Sequence, residues 1–304
     1  MSYLEHFGFE QEPFSNAPDA RFYFDSEQHQ QAQRRLRFAV DSNKGLAVVV
    51  GGIGTGKTTL ARRMLDLLGT ERYQSSLLIM VHSGITPEWL LSHIALQMGV
   101  ATPGNDRLVI LRQLYERLLE IDAQGRRAVI LIDEAQMLQT RELMEEFRGL
   151  LNLEIPGRKL LNILFFGLPE LEENLRLDPP LAQRVAMRCE LTSLTAGNTA
   201  SYIWHRLRIA GGQRMVFDDD AIAAVHQYAG GVPRLINTLC DNCLFEGALL
   251  NREQIDEKIV IDMAKALDLH GDAAPRSEEV DLDQGLEQIE SMLERLEMKS
   301  CPLA

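Results

Sequence analysis

The most informative stretch of the chain is a glycine-rich segment that ends in lysine and threonine. In order, its residues are Gly51, Gly52, Ile53, Gly54, Thr55, Gly56, Lys57, Thr58 and Thr59. Glycines let such a loop wrap a phosphate chain with its backbone N–H groups pointing inward, and the helix that follows directs its positive dipole end at the same anion. Lys57 is then expected to reach the β- and γ-phosphates of a nucleotide, and Thr58 to ligate Mg²⁺.

A pair of acids is the second chemical signal. The apolar run 129–132 leads directly into Asp133 and Glu134. In open α/β sheets ligands bind at the carboxyl ends of the strands, so both carboxylates are expected at that edge. Asp133 can hold Mg²⁺, and Glu134 can polarise an attacking water. The two segments together predict a Mg²⁺-dependent site for nucleotide hydrolysis.

Short apolar strands that alternate with helices must position these residues. Apolar runs predict four strands, at 45–50, 76–81, 128–132 and 161–166. Helical periodicity lies between them, and this alternation is typical of a parallel sheet covered on both faces. After about residue 195 the strand signals stop and only helical patterns follow, which predicts an all-α second domain.

The pattern divides the chain into five segments. They are an aromatic segment with the first helix (1–40), a nucleotide-binding α/β core (41–195), a helical lid domain (196–269), a linker (270–280) and a heptad helix (281–300). The heptad seam consists of Leu282, Leu286, Ile289, Leu293 and Leu296. Because so short a helix is marginal alone, we expect it to dock on another subunit, on the body of the chain or on a protein partner.

Composition and charge exclude several classes of protein. Hydrophobic residues make up 45% and charged residues 25%, as in ordinary globular proteins. The sequence contains no apolar run of about 18 residues and no signal peptide, so we expect a cytoplasmic protein without membrane insertion. Cys240 and Cys243 fall on an apolar helical face and are interpreted as core residues, not as a metal or redox site.

The net charge of −13 is concentrated at the ends of the chain. Residues 1–20 carry four acids and no base, and residues 241–304 carry 16 acids against 6 bases, which leaves 21–240 at about +1. We therefore do not expect the net charge of the protein to attract nucleic acid, but the charges of residues 21–240 do not exclude a local basic patch.

These features resemble the AAA+ ATPases, and within them the general secretion pathway protein A (ExeA-type) family. The resemblance covers residues 1 to about 268 and rests on separate islands in the same order. They are His6-Phe7-Gly8, Pro13-Phe14, Pro18-Asp19, Tyr23, His29, Asp133-Glu134-Ala135-Gln136, Gly167 with Pro169-Glu170-Leu171, Gln183-Arg184, Tyr202-Ile203 with His205-Arg206-Leu207, and Gly231-Val232-Pro233-Arg234 with Asn237. ATP-dependent transposition regulators of the TniB and TnsC type share the same core.

The resemblance implies Mg-ATP as the ligand and catalytic roles for two arginines. Arg184 matches the arginine finger that such ATPases insert into a neighbour's site, with Arg188 as a second candidate. Arg234 matches sensor 2, an arginine that the lid holds over the γ-phosphate. A finger supplied by a neighbour implies a head-to-tail homo-oligomer, either a ring or a filament.

The aromatic opening allows two interpretations. The residues from Phe14 to Tyr23 could lie near the adenine base, as the resemblance implies, or the rings could simply cover an edge of the core. His29 is expected to be structural and not catalytic.

Two departures from the family pattern stand out. The turn after the fourth core strand usually reads Gly-Gln-Pro-Glu-Leu in the family, and here Leu168 replaces the glutamine. A leucine cannot hydrogen-bond an attacking water, which predicts slow hydrolysis unless Asn162 or another polar group substitutes. ExeA-type members also continue into a transmembrane helix and a peptidoglycan-binding region. We expect this chain to lack both and to reach the inner membrane only through a partner.

The favoured function is hydrolysis of Mg-ATP at subunit interfaces, used to drive or switch the assembly of a protein complex in envelope secretion or assembly. A DNA-binding regulator of the transposition type is the first alternative and needs a basic surface. Contributors to such a surface are Arg34, Arg35, Arg37, Arg62, Arg63, Arg126 and Arg127. The second alternative is a nucleotide-switched scaffold that hydrolyses ATP slowly, and the leucine at position 168 supports this alternative.

Overall fold

The structure is a computed structural model that describes residues 2–17 and 19–270. The predicted heptad helix at 281–300, and the predicted linker at 270–280 apart from its first residue, lie outside the described residues.

A five-stranded parallel sheet forms the centre of the fold. Its strands are β1 (Leu46–Gly51), β2 (Tyr73–Ile79), β3 (Arg127–Asp133), β6 (Leu161–Gly167) and β7 (Val185–Leu191), and β4 (Glu154–Ile155) and β5 (Arg158–Lys159) form a separate antiparallel hairpin. The order across the sheet is β2-β3-β6-β1-β7. The predicted α/β class with a parallel sheet is confirmed. The sequence did not predict β7, because this edge strand exposes alternate residues and lacks a continuous apolar run.

Helices flank the sheet and then continue alone towards the C-terminus. They are α1 (Tyr3–Phe7), α2 (Glu27–Asp41), α3 (Lys57–Leu67), α4 (Pro87–Met98), α5 (Arg107–Ala123), α6 (Arg141–Leu150), α7 (Leu171–Arg176), α8 (Pro179–Ala182), α9 (Ala196–Ile209), α10 (Asp219–Ala229), α11 (Pro233–Leu249) and α12 (Glu257–Ala266). None of the helices in the described part of the chain has the length and apolar character needed to span a bilayer.

The two faces of the sheet pack against different helices. Along β3, Ile130 and Ile132 lie in the core that also holds the apolar faces of α4, α5 and α6. The alternate residues Val129 and Leu131 lie in the core formed with α2 and α3. Since successive side chains of a strand point to opposite faces, burial on both sides explains the unbroken apolar run that the sequence shows.

A third core joins α9–α12 to the N-terminal aromatic residues. The rings of Phe7, Phe9, Phe14 and Phe22 are buried in this cluster together with Cys240 and Cys243. Full burial of a phenylalanine ring contributes about 2 kcal/mol to folding. The sequence analysis grouped these rings with the first helix of the ATPase module, whereas their packing is against the lid helices. Burial also raises the pKa of the Cys243 thiol to about 12, in keeping with the interpretation of these cysteines as core residues.

Arg206 of α9 fastens the N-terminal segment to the lid. Its Nε donates to the carbonyl oxygen of Pro13 at 2.5 Å, and one terminal nitrogen donates to the carbonyl oxygen of Ser15 at 2.7 Å. The guanidinium also lies over the Phe22 ring, 4.6 Å from its centroid. A buried cation is costly unless donors are satisfied, and here backbone carbonyls and aromatic faces satisfy them.

Candidate nucleotide-binding site

A cleft of about 460 Å³ lies at the carboxyl edge of the sheet, between the core and the lid. Three parts of the chain line it: the glycine-rich loop with the start of α3, the segment after β3, and the lid with the N-terminal segment. Residues on its wall include Ile53–Thr59, Glu134, Gln136, Leu168, Arg206, Pro233, Arg234 and Asn237. Of the residues that the sequence singled out, Ile53–Thr59, Glu134 and Arg234 are thus brought to one cavity. Gly51, Gly52 and Asp133 adjoin them in the chain but are not among the residues that line it.

The glycine-rich loop links the end of β1 to the first turn of α3. Gly56 precedes the helix in the left-handed conformation, and the N-terminus of α3 receives no side-chain hydrogen bond. Its first N–H groups are therefore free for an anion. Gly54 also has a positive φ of 77°, and a Cβ there would approach Arg234 Cβ to 2.8 Å. The loop thus needs glycine at a point where the lid touches it.

Lys57 is buried at the centre of the loop, with only 7% of its surface exposed. Its Nζ donates to the carbonyl oxygens of Gly51 and Gly52, both at 2.8 Å. Burial lowers the pKa of this amine, while the carboxylates of Glu134 and Asp133 oppose that shift. The ammonium group is therefore a nearly desolvated positive charge, suited to phosphate oxygens.

Asp133, at the end of β3 and directly before Glu134, is almost fully buried, with 1% exposure. Neither carboxylate oxygen has a hydrogen-bond partner among the described residues. Burial raises the pKa of this carboxyl, and the neighbouring Thr58 hydroxyl partly opposes the shift. An orphaned buried carboxylate next to a hydroxyl fits Mg²⁺, which takes few protein ligands and completes its shell with phosphate oxygens and water.

Replacing Asp133 with asparagine should raise the melting temperature of the nucleotide-free protein. The raised pKa means that the ionised carboxylate destabilises the fold at neutral pH, so removing the charge stabilises it. We expect a gain of about 2 °C, the lower end of the shift that 1 kcal/mol gives in chains of about 150–250 residues, because the shift falls as the chain grows. The gain should shrink as the pH falls, because the wild-type carboxyl then takes up a proton.

The same variant should lose the stabilisation that Mg-ATP gives to the wild type. Thermal melts with and without Mg-ATP at pH 7.5 and pH 5 measure both effects. A nucleotide-free variant that melts below the wild type would contradict the cost assigned to the buried charge, and a variant that keeps the full Mg-ATP shift would contradict the assignment of Asp133 as a metal ligand.

Glu134 follows Asp133 with a strained backbone and a fixed side chain. Its φ of 55° lies in the left-handed region, which is uncommon for residues other than glycine. Its Oε2 accepts a hydrogen bond of 2.6 Å from Nε2 of Gln136. Strain of this kind persists where the surrounding structure over-determines it, and it is frequent at functional sites.

Gln136 is a site residue that the sequence analysis did not single out. It is 7% exposed, and its Oε1 accepts the N–H of Leu168 at 3.1 Å. Its side-chain amide therefore links Glu134 to the turn after β6. The only sequence signal was its position in the Asp133-Glu134-Ala135-Gln136 island, which carries no spatial information.

Asn162 does not substitute for the missing polar side chain at position 168, contrary to the sequence hypothesis. It lies at the amino end of β6, at the opposite edge of the sheet from the cleft. Its Oδ1 accepts the N–H of Gly45 at 3.3 Å, and its Nδ2 donates to Asn43 Oδ1 at 3.3 Å. The hypothesis was wrong because Asn162 is at the start of its strand, whereas ligands of such sheets bind at the carboxyl ends of the strands.

The arginines assigned by resemblance occupy different surroundings. Arg234 lies on the lid side of the cleft, and its charge is close enough to lower the pKa of Lys57. Arg184 is outside the cleft of its own chain and donates to the Arg148 carbonyl oxygen at 3.0 Å and to Asn152 Oδ1 at 2.7 Å. Arg188 forms an ion pair with Glu172.

The N-terminal segment was interpreted either as a wall for the adenine base or as a cover over an edge of the core, and different residues of the segment fit each interpretation. Ser15–Ala17, Asp19 and Phe22–Phe24 line the cleft, as a base-binding wall would. Phe14 does not, since its ring is buried in the lid core, edge-on to Phe217 at 6.2 Å.

His29 lies beside the glycine-rich loop. Its Nδ1 is hydrogen-bonded to Ser26 Oγ at 2.7 Å, and Nε2 lies 3.0 Å from where a Cβ on Gly56 would stand. Burial lowers the pKa of its imidazole. A neutral ring in this position supports the loop, in keeping with the structural role expected for it.

Comparison with known proteins decides the family. The model of the AAA domain matches residues 40–175. General secretion pathway protein A of Aeromonas hydrophila is 35% identical over 245 residues, which cover 80% of this chain. The chain therefore belongs to the AAA+ family, as a relative of general secretion pathway protein A. It spans 44% of the length of that curated relative.

Solved AAA+ structures share the fold at low sequence identity. Cdc6p of Pyrobaculum aerophilum superposes with a TM-score of 0.63 and 19% identity, covering 84% of this chain and 70% of that one. The Aeropyrum pernix ORC2 protein, in its ADPNP–ADP complexes, gives 0.62 and 14%, covering 84% and 71%. A mutant of RuvB from Thermotoga maritima gives 0.54 and 17%, covering 80% and 71%.

Proposed function

We propose that this AAA+ protein binds Mg-ATP in the cleft and hydrolyses it at interfaces between subunits, and that the cycle drives or switches assembly of a protein complex. The observation that carries the proposal is the cleft itself. A buried lysine on a glycine-rich loop, a glutamate and a lid arginine line one cavity of nucleotide size, and an aspartate without a hydrogen-bond partner directly precedes that glutamate in the chain.

Each side chain has one part in the proposed reaction. Lys57 leaves the carbonyl oxygens of Gly51 and Gly52 and binds the β- and γ-phosphates. Thr58 and Asp133 hold Mg²⁺, which when bound neutralises charge on the phosphate oxygens. Glu134 accepts a proton from the attacking water, and Arg234 contacts the γ-phosphate from the lid. The bond between the β,γ-bridging oxygen and the γ-phosphorus breaks, giving ADP and phosphate.

Arg184 is proposed to act on the neighbour's nucleotide. Its guanidinium lies outside the cleft of its own chain and is oriented by the carbonyl of Arg148 and the amide of Asn152. Such a rigid, permanently charged group can stabilise charge on a transferring phosphoryl group across an interface. This geometry requires a head-to-tail homo-oligomer, which closes into a ring or extends into a filament.

A subunit-mixing experiment tests the proposal. Arg184→Ala and Glu134→Gln should each be inactive alone, while their 1:1 mixture should regain about a quarter of the wild-type ATPase rate. In a random mixture about one interface in four pairs an intact Glu134 with an intact Arg184 from the next subunit. Phosphate release is measured against protein concentration, and Arg112→Ala, at an exposed position on α5, is the control.

The activity of the mixture shows whether Arg184 acts on the nucleotide of a neighbouring subunit. If it is no more active than the separate variants, Arg184 does not act in trans. If the wild type itself binds ATP but releases no phosphate at any concentration, the slowly hydrolysing scaffold becomes the better account of the protein, and Leu168 is the first residue to exchange for glutamine.

The proposed setting is a cell-envelope secretion or assembly complex, by analogy with general secretion pathway protein A. Recruitment to the inner membrane would then depend on a partner, and segment 281–300 is the proposed contact. The setting is tested by whether a tagged full chain co-purifies with membrane fractions, and whether deletion of 281–300 abolishes this.

DNA binding is the second candidate function. Its proposed basic residues are partly engaged within the chain: Arg37 pairs with Asp41 at 3.7 Å, Arg63 lies over the ring of Tyr23, and Arg126 donates to the Tyr73 carbonyl oxygen at 3.1 Å. Parallel phosphate-release assays with and without duplex DNA discriminate the two functions. Strong stimulation by DNA would favour the transposition-type regulator.

A further inference from the structure

The side-chain amide of Gln136 connects the carboxylate of Glu134 to the backbone of the turn after β6, two parts of the site that are far apart in the chain. Its Nε2 donates to Glu134 Oε2 at 2.6 Å, and its Oε1 accepts from the backbone N–H of Leu168 at 3.1 Å. The neighbours fix the orientation of the amide, because only the NH₂ end can donate to a carboxylate and only the oxygen can accept from an N–H.

Packing holds this bridge in place. Gln136 lies in the short 3-10 turn that follows β3, and its own carbonyl oxygen accepts from Asn174 Nδ2 at 2.8 Å. On the other side Gly167 lies so close that a Cβ there would stand 3.1 Å from Gln136 Oε1. Although it lies on the wall of the cleft, Gln136 is only 7% exposed, and packing and hydrogen bonds therefore restrict its amide to this arrangement.

The Gln136 side chain contacts the turn after β6 at Leu168, whose own side chain is apolar. Leu168 lines the cleft but offers no side-chain donor or acceptor, whereas its backbone N–H is bound to Gln136. The hydrogen bond to the Glu134 carboxylate is therefore donated by the amide of Gln136, from the 3-10 turn that directly follows the glutamate.

We propose that Gln136 is the positioning residue of this site: its amide holds the Glu134 carboxylate against the turn at Leu168, in the orientation needed to polarise the attacking water. Gln136 acts through Glu134 and the turn, not on the nucleotide. The inference rests on the proposed hydrolysis of ATP. It also implies that the leucine at position 168 is compatible with turnover.

Two substitutions separate the two hydrogen bonds. Gln136→Met has nearly the same length and loses both bonds. Gln136→Glu keeps an oxygen for the N–H of Leu168 but replaces the donor to Glu134 by a second carboxylate, which repels the first. Gln113→Met is the matched control, since the Gln113 amide also uses both of its ends, accepting from the Gly104 N–H and donating to the Thr102 carbonyl oxygen, away from the cleft.

Both Gln136 variants should lose kcat by about 10- to 100-fold, the effect expected when a catalytic group is misplaced by about 1 Å. KM for ATP, and the affinity for Mg-ADP measured by calorimetry, should change by less than about threefold, because Gln136 makes no contact with the phosphate loop's lysine. Gln113→Met should have wild-type kinetics.

Hydrogen exchange of the nucleotide-free protein supplies a readout that is independent of turnover. In Gln136→Met the amide of Leu168 should exchange at least about tenfold faster than in the wild type, while in Gln136→Glu it should stay protected. Both variants should turn over slowly, but only Gln136→Met should lose protection at Leu168. This combination is expected only if the bond to Glu134 orients the carboxylate and the bond to Leu168 anchors the amide.

Each outcome decides the inference. Wild-type kcat in Gln136→Met, or a loss of Mg-ADP affinity equal to the loss of kcat, would overturn it. If Gln136→Met melts well below the wild type, its kinetics are set aside. The inference is then judged on the kinetics of Gln136→Glu and on the hydrogen-exchange data, which need no turnover. If the wild type hydrolyses no ATP, the proposed function fails, whereas a normal wild type with an unaffected Gln136→Met removes only the positioning role.

Discussion

Replacing Glu134 with glutamine is expected to lower the rate of ATP hydrolysis by about 10²- to 10⁴-fold while ATP binding is retained. The substitution preserves the size of the side chain and its contact with Gln136, but an amide cannot take a proton from the attacking water. The proposed phosphate contacts are to Lys57 and the amides of the loop, so the substitution should change the affinity for ATP little. Phosphate release and calorimetric titration with ATP measure the two quantities.

The control for this variant is Glu142→Gln, an exposed acid in the first turn of α6. It removes the same charge outside the cleft and should leave turnover unchanged. A Glu134→Gln protein that keeps more than about a tenth of wild-type kcat would show that another group activates the water.

Replacing Lys57 with alanine is expected to weaken ATP binding by about 100-fold, with a larger loss in hydrolysis. Charge-assisted hydrogen bonds to phosphate contribute about 1.5–3 kcal/mol each, and burial in the loop keeps water from competing for the ammonium. The variant also frees the carbonyl oxygens of Gly51 and Gly52, which accept from Nζ at 2.8 Å in the nucleotide-free protein. Calorimetry with ATP and Mg²⁺ measures the loss of affinity.

The matched control is Lys159→Ala. This lysine also donates to a backbone carbonyl, that of Leu151 at 2.9 Å, but it lies at the opposite edge of the sheet. It should not change ATP affinity. Equal affinities for Lys57→Ala and the wild type would exclude the glycine-rich loop as the phosphate site.

Local features of the sequence predicted much of the fold. Strands β1, β3 and β6 are continuous apolar runs because both of their faces are buried, and that burial is visible as composition alone. The helices after residue 195 were predicted from their periodicity in the same way. The edge strand β7 was not, since its alternate side chains are exposed on one face and the continuous apolar run on which the prediction depends is absent.

The N-terminal segment shows the limit of such reasoning. Its aromatic residues predicted a segment pinned by its rings, but not the surface that receives them. The partners of Phe14 and Pro13 are Phe217 and Arg206, about 200 positions away in the chain. No periodicity or motif encodes a contact at that separation, because it depends on how the lid returns to the sheet.

The amino-acid sequence was enough to predict the candidate nucleotide site: a loop whose glycines and lysine suit phosphate, a strand that ends in two acids, and a sheet and helices to carry them. These are properties of short segments, in which residue type and spacing are sufficient. The packed chain was needed to show that Asn162 bonds to Gly45 and Asn43 and that Gln136 bridges Glu134 to Leu168. Both depend on which strands become neighbours in the sheet and on which edge each side chain reaches, and these follow from packing of the whole chain.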